Sequence, residues 1–148
     1  MRNHRGFNRS FLRPLTILVF DRYFIFYCCS WIAVRFTRKL HIPIPILNNW
    51  LTDFVFVPLI AHVSLVIGSL IFKLDGTFKY PLYQILSISS LTAVIFEGIL
   101  PYYTPYNTAD FYDALVYLAG GLFYYFVHQH YTTKNIRLFW KNPSTDTC

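Results

Sequence analysis

The residues with the clearest chemistry in this chain are carboxylates placed in or beside long apolar segments. In the last such segment, polar and small residues recur at steps of three and four, namely Asp110, Asp113, Tyr117, Gly120, Tyr124 and His128. At about 100° per residue these positions share one stripe of a helix whose other faces are mostly apolar. Carboxylates in such surroundings usually face the interior of a bundle or a cavity, so the stripe predicts a functional site.

Two further carboxylates, Asp53 and Glu97, precede this segment and are expected to meet Asp110 and Asp113 at one mouth of a helix bundle. Asp53 and Asp110 fall at or just before helix starts, where an ordinary N-cap explains an acid. Asp113 and Glu97 lie further inside apolar sequence, where capping does not explain them. We therefore expect Glu97 and Asp113 to carry the function.

Three kinds of chemistry suit such a cluster. Glu97, Asp110 and Asp113 are candidate ligands of Mg²⁺ or another divalent cation, because carboxylate oxygens suit hard cations. A buried carboxylate beside other acids is a candidate proton relay, and a pair of acids is a candidate for acid–base catalysis. Asn49, Asn107 and Tyr117 complete the predicted ligand or proton site. No catalytic nucleophile set or glycine-rich phosphate loop supports an enzyme.

The histidines have ordinary explanations. His62 falls in the middle of an apolar segment, on the face opposite Asp53, and is expected to be hydrogen-bonded between helices. His128 and His130 fall near the end of the last apolar segment, where a helix C-terminus stabilises positive charge. Gly120 and Gly121 predict a point of close helix packing.

The composition excludes an ordinary soluble domain. The 148 residues are 55% hydrophobic and only 14% charged, and the mean hydropathy is +0.38. Too little polar surface is left to cover a soluble globule of this size. A polytopic membrane protein with the lipid bilayer as its surroundings is the remaining class.

Three apolar stretches reach the roughly 20 residues that a membrane-spanning helix needs: about 52–72, 81–103 and 111–130. A fourth, about 15–36, is interrupted by Asp21-Arg22, which either pair locally within a true span or mark an interfacial helix. The predicted fold is all-α, a four-helix transmembrane bundle. Residues 1–14 form a basic tail, residues 15–130 the transmembrane domain and residues 131–148 a second tail.

The distribution of basic residues predicts the orientation. One side of a four-helix bundle carries nine of them, and the other carries three: Arg2, Arg5, Arg9, Arg13, Lys73, Lys79, Lys134, Arg137 and Lys141 against Arg35, Arg38 and Lys39. The positive-inside rule places both termini in the cytoplasm of a bacterial inner membrane. Arg35, Arg38 and Lys39 conflict with this rule unless they reach lipid phosphates or an anionic ligand. The charges form no continuous stripe, so nucleic acid is not an expected partner.

The motif around the acidic residues resembles that of a known family. VanZ-like bacterial membrane proteins have a membrane glutamate followed by Arg-x-x-Asp-x-x-Asp-x-x-x-Asn-x-x-Gly on the last helix. Glu97, Asp110, Asp113 and Gly120 match that pattern, whereas Asn107 stands at the Arg position and Tyr117 at the Asn position. The chain also resembles small inner-membrane proteins from Bacteroidetes with a Leu-Asn-Asn-x-Leu-x-Asp motif, some of them described as magnesium–citrate secondary transporters.

Two classes of function follow from the residues and from the resemblance. The first is a non-enzymatic protein whose outward acidic site binds an envelope lipid, a cell-wall molecule or a cation. The second is a small proton- or cation-coupled transporter, for example of magnesium citrate, which at this length requires a homo-oligomer. Carboxylates at the membrane midplane favour transport. A shallow cluster closed underneath by apolar packing favours binding.

Overall fold

The chain folds into helices that run back and forth along one another. A computed structural model describes residues 16, 19–41, 50–72, 78–103 and 110–141, and these residues contain four helices and no strand. Helix α1 is Arg22–Lys39 and helix α2 is Thr52–Phe72. Helix α3 is Leu82–Tyr103, and helix α4 extends from Phe111 to Lys141. The all-α prediction is therefore confirmed.

Two aspartates determine where helices begin. Asp21 is the N-cap of α1, and its Oδ1 accepts a hydrogen bond of 2.9 Å from the Tyr23 backbone N–H. Asp110 does the same for α4, accepting a bond of 2.9 Å from the Tyr112 N–H. Each satisfies one of the backbone donors that have no partner within a first helical turn. Asp21 thus starts α1 at the point where the sequence predicted an interruption of the apolar segment.

Two helices contain a widened π-helical turn. In α3 it covers Val94–Ile99 and includes Glu97. In α4 it covers Tyr124–His128, directly before the segment Gln129–Lys141. Such turns are uncommon and occur frequently at functional sites. Both of them fall within the polar regions described below.

Helix α4 lies between α2 and α3 and contacts them through Gly120 and Gly121. A Cβ atom on Gly120 would collide with the Phe54 carbonyl oxygen of α2, and one on Gly121 would collide with the Ser89 hydroxyl of α3. Pro58 has no N–H to bond that carbonyl, so the Gly120 hydrogen pointing at it supplies a weak replacement contact. The predicted close packing at the two glycines is confirmed.

Among the described residues, the interior combines apolar and polar side chains, while the surface is rich in large apolar ones. His62, Ser89, Thr92, His128, Gln129, Thr132 and Thr133 are buried. By contrast, large apolar side chains face outward on all four helices, with exposures of 60% for Ile32, 67% for Ile71, 61% for Leu91 and 75% for Phe111. A surface with so many large apolar side chains is unusual for a soluble protein of this size.

One of these helices meets the requirements of a membrane span. Within the described residues, Leu82–Tyr103 is long enough and apolar enough to cross a bilayer, and Thr52–Gly68 is apolar but shorter. Helices α2 and α3 have nearly the bounds of the predicted apolar segments. Helix α4 continues to Lys141, well past the end of its apolar segment.

Candidate functional site

One end of the bundle, which we call the acidic end, is where α1 and α3 end and α2 and α4 begin. Here the Tyr117 hydroxyl on α4 donates a hydrogen bond of 2.9 Å to Oδ1 of Asp53, in the first turn of α2. Tyr117 is buried, and the rings of Phe56 and Phe96 lie against it. The bond therefore holds one oxygen of Asp53 in a fixed position.

Glu97 connects α3 to the start of α4. Its Oε2 accepts a hydrogen bond of 2.9 Å from the backbone N–H of Asp110, while the Asp110 carboxylate caps the same helix. Asp110 is exposed, whereas Glu97 is half-buried. Asp110 thus has the ordinary capping role, and Glu97 lies directly beside it.

The acidic end collects like charges from three helices. Glu97 and Asp113 both act electrostatically on Asp53, and Glu97 and Asp110 act on Asp113. Arg38, in the last turn of α1, is the opposite charge that acts on Asp53. Attraction to Asp53 therefore explains why a basic residue lies at the end of α1.

The geometry does not support the predicted metal site. Among residues 16, 19–41, 50–72, 78–103 and 110–141, no three histidine, cysteine, aspartate or glutamate side chains are arranged to hold one metal ion. Asp110 is engaged as a cap and Glu97 accepts a backbone N–H, so one oxygen of each carboxylate already has a donor. Asn49 and Asn107, the other predicted site residues, lie outside the described residues.

Apolar packing closes the acidic end from beneath. Below Tyr117, Gly120 lies against the Phe54 carbonyl and the Pro58 ring, and Gly121 lies against Ile85 and Ser89. Contacts this close pack α4 directly against both of its neighbours at this level. The acidic end is therefore a shallow site.

A second polar region, which we call the histidine centre, lies near the other end and comprises Asp21, Tyr27, His62, His128 and Thr132. Oδ2 of Asp21 accepts a hydrogen bond of 2.8 Å from the Thr132 hydroxyl. Oδ1 lies 2.9 Å from Nε2 of His128, although outside the direction of an N–H hydrogen bond. This contact is an ion pair when His128 is protonated. Asp21 thus pairs with α4, and the local pair with Arg22, one of the two alternatives that the sequence left open, is not formed.

Tyr27, His62 and Tyr124 surround the His128 ring, and Tyr124 is the sixth residue of the histidine centre. The Tyr27 hydroxyl lies 3.2 Å from Nδ1 of His128, and the His62 ring stacks on the His128 ring at 4.6 Å between centroids. The Tyr124 ring packs edge-on against His128, and its buried hydroxyl has no hydrogen-bond partner among the described residues. His62 and His128 are both 0% exposed.

The interpretation of His128 as a residue at a helix C-terminus was therefore wrong, whereas a hydrogen bond of His62 between helices stays a prediction. His128 is not at a helix C-terminus, because α4 continues to Lys141, and His62 has a second histidine directly against it. The sequence did contain a signal for a polar role of His128, because this residue lies on the same stripe of α4 as Asp113 and Tyr117. Tyr117 and His128 are eleven positions apart, which separates the two polar regions by roughly 16 Å along the helix.

No protein-family model, curated protein or solved structure matches this chain. The VanZ-like resemblance thus stays a prediction made from the spacing of Glu97, Asp110, Asp113 and Gly120.

Proposed function

We propose that this chain is an integral protein of the bacterial inner membrane whose four helices form a transmembrane bundle. The observation that supports a membrane is the exposure of large apolar side chains on all four helices, around an interior in which histidines, threonines and a glutamine lie among apolar residues. Contact of such an apolar surface with water costs free energy, whereas contact with lipid does not. The nine-to-three distribution of basic residues places both termini in the cytoplasm and the acidic end outward.

The proposed activity of the acidic end is binding, and the ligand is an envelope lipid or cell-wall molecule that carries ammonium or hydroxyl groups. Asp53, Glu97 and Asp113 are half-buried acceptors from three different helices, and Arg38 compensates only part of their charge. A ligand that donates hydrogen bonds relieves the repulsion among them. The shallow depth and the closed packing beneath favour binding over passage through the bundle.

A second candidate function has one specific observation in its favour. The histidine centre places titratable side chains on the same stripe of α4 as the acidic end, which is the arrangement of a proton-coupled carrier. The packing at Gly120 and Gly121 interrupts that stripe. A carrier would therefore need a homo-oligomer or a second conformation, and for this reason we place binding first.

Complementation of a deletion strain tests the proposal. Glu97→Gln and Asp113→Asn should reach wild-type abundance in the membrane but fail to restore resistance to cell-wall antibiotics and detergent. Asp110→Asn, the matched control, should restore it largely, because the amide oxygen still caps α4. Full complementation by the Glu97 and Asp113 variants would make the acids a scaffold. If His128→Gln reaches normal abundance but fails to complement as the Glu97 and Asp113 variants do, the carrier is favoured.

Fusions of reporter enzymes test the membrane placement separately. A reporter after residue 148 should be active in the cytoplasm, and one inserted within residues 104–108 should be active outside. Residues 104–108 in the cytoplasm would overturn the outward site.

A further inference from the structure

Two cavities adjoin at the end of the bundle opposite the acidic end. One, which we call the polar cavity because Asp21, Arg22 and Asn135 line it beside Thr16, Phe20 and Tyr131, has a volume of about 390 Å³. The other has a volume of about 430 Å³ and is largely aromatic, lined by Arg22, Tyr23, Phe26, Phe123 and Tyr131. Arg22 and Tyr131 belong to both. The two cavities thus form one polar-to-aromatic surface with a guanidinium where they meet.

Arg22 supplies a positive charge that its neighbours do not neutralise. Its side chain is exposed, and it makes no ion pair with any carboxylate in the described part of the chain. The adjacent Asp21 is buried, and its oxygens are engaged by His128, Thr132 and the Tyr23 N–H. An anion can therefore approach Arg22 without meeting an exposed carboxylate oxygen, and the Asn135 amide offers further donors.

The aromatic cavity has rigid walls. The Tyr23 ring meets Phe123 at 5.8 Å and Tyr131 at 5.2 Å, both edge-on. Phe26 is 53% exposed on the outer face of α1. Interlocked rings of this kind lose little conformational freedom when an apolar chain packs against them, which favours binding.

We infer that this surface binds an anionic phospholipid, with its phosphate at Arg22 and an acyl chain along Tyr23, Phe26 and Phe123. The inference rests on the proposed membrane placement but not on the ligand of the acidic end. Under that placement the surface faces the cytoplasmic leaflet, where anionic lipids are attracted by basic residues close to the membrane. The exposed Lys134 and Arg137 of α4 add to the positive field at this end.

Fluorescence quenching by brominated lipids tests the inference on the full-length protein in detergent. Phe26→Trp places a fluorophore in the aromatic cavity. Its added emission should be quenched by phosphatidylglycerol with dibrominated acyl chains at a concentration about fivefold lower than by the matching phosphatidylcholine. Adding Arg22→Gln should remove this preference for the anionic lipid.

Arg137→Gln is the matched control, because it removes one charge from an exposed site at the same end without lining either cavity. It should keep the preference. Equal losses in the Arg22 and Arg137 variants would mean that only general surface charge acts, and this would overturn the inference. Equal quenching by the two lipids would do so as well. Glycerol 1-phosphate should compete poorly, and competition at the lipid's own concentration would show that the aromatic cavity is not used.

Two further variants keep the test decisive. Phe20→Trp, in the polar cavity, provides a second reporter if Phe26→Trp does not elute as the folded protein from gel filtration. Glu97→Gln should keep the lipid preference unchanged. Loss of envelope function in Glu97→Gln together with a retained lipid preference would separate the two sites, whereas loss of the lipid preference in Glu97→Gln would overturn the inference of an independent lipid site.

Discussion

The acidic end and the histidine centre are both polar regions of the bundle, but they differ in how their charged groups are buried and paired. The histidine centre is buried and matches Asp21 with His128, Thr132 and a backbone N–H. The acidic end is half-buried and gathers three carboxylates near one arginine. The histidine centre is not fully paired, because the Tyr124 hydroxyl and His128 Nε2 have no hydrogen-bond partner among the described residues. Even so, paired groups in the interior hold helices together, whereas accessible like charges have capacity left for a ligand. The first region thus holds α1 to α4, and the second is suited to binding.

Two aspartates make this comparison measurable, because Asp21 and Asp110 cap their helices with the same 2.9 Å bond. Asp21→Ala removes the cap and also leaves His128 and Thr132 in the interior without their partner. This should lower the unfolding free energy by about 3–5 kcal/mol. Asp110→Ala removes an exposed cap alone and should cost about 1 kcal/mol. Unfolding in mixed micelles with increasing denaturing detergent measures both. Similar losses would mean that the histidine centre adds nothing to stability.

Two buried tyrosines provide the next comparison. The Tyr117 hydroxyl donates to Asp53, whereas the Tyr124 hydroxyl has no hydrogen-bond partner among the described residues. Tyr117→Phe should lower the unfolding free energy by about 1.5–3 kcal/mol, because a hydrogen bond to a charged group is lost. Tyr124→Phe should change it by less than about 0.5 kcal/mol, since no bond is broken. A larger loss in Tyr124→Phe would reveal a partner for that hydroxyl.

The layer between the two regions can be tested with glycines. Gly120→Ala and Gly121→Ala should each cost about 1–3 kcal/mol, since the added methyl group meets the Phe54 carbonyl or the Ser89 hydroxyl. Gly68→Ala is the control: nothing lies within 4 Å of its new methyl group, so higher helix propensity should make it neutral or stabilising. Thermal unfolding in detergent compares the three. Equal effects at all three glycines would argue against a tightly packed layer.

Local sequence patterns predicted much of the fold but only one of its polar regions. Apolar length indicated α2 and α3 nearly to the residue, and periodicity indicated the buried stripe from Tyr117 through Gly120 to Tyr124. Hydropathy could not show that α4 continues to Lys141, because that segment is polar and is held by Ile136 against Leu65. It also could not show that Asp21 meets Thr132, since a contact between residues 111 positions apart has no local signature.

The carboxylates of the acidic end should contribute the least to stability. Glu97→Gln keeps an oxygen that accepts the Asp110 N–H, and Asp113→Asn removes a charge that acts on both Glu97 and Asp53. Each should change the unfolding free energy by no more than about 0.5 kcal/mol, because lost repulsion offsets any lost hydrogen bonding. The double variant should be at least as stable as either single one, since the two groups repel each other in the wild type. The same unfolding assay used for Asp21→Ala measures this. A loss above about 2 kcal/mol in either single variant would make the acidic end structural, like the histidine centre, and would remove the contrast on which the binding proposal depends.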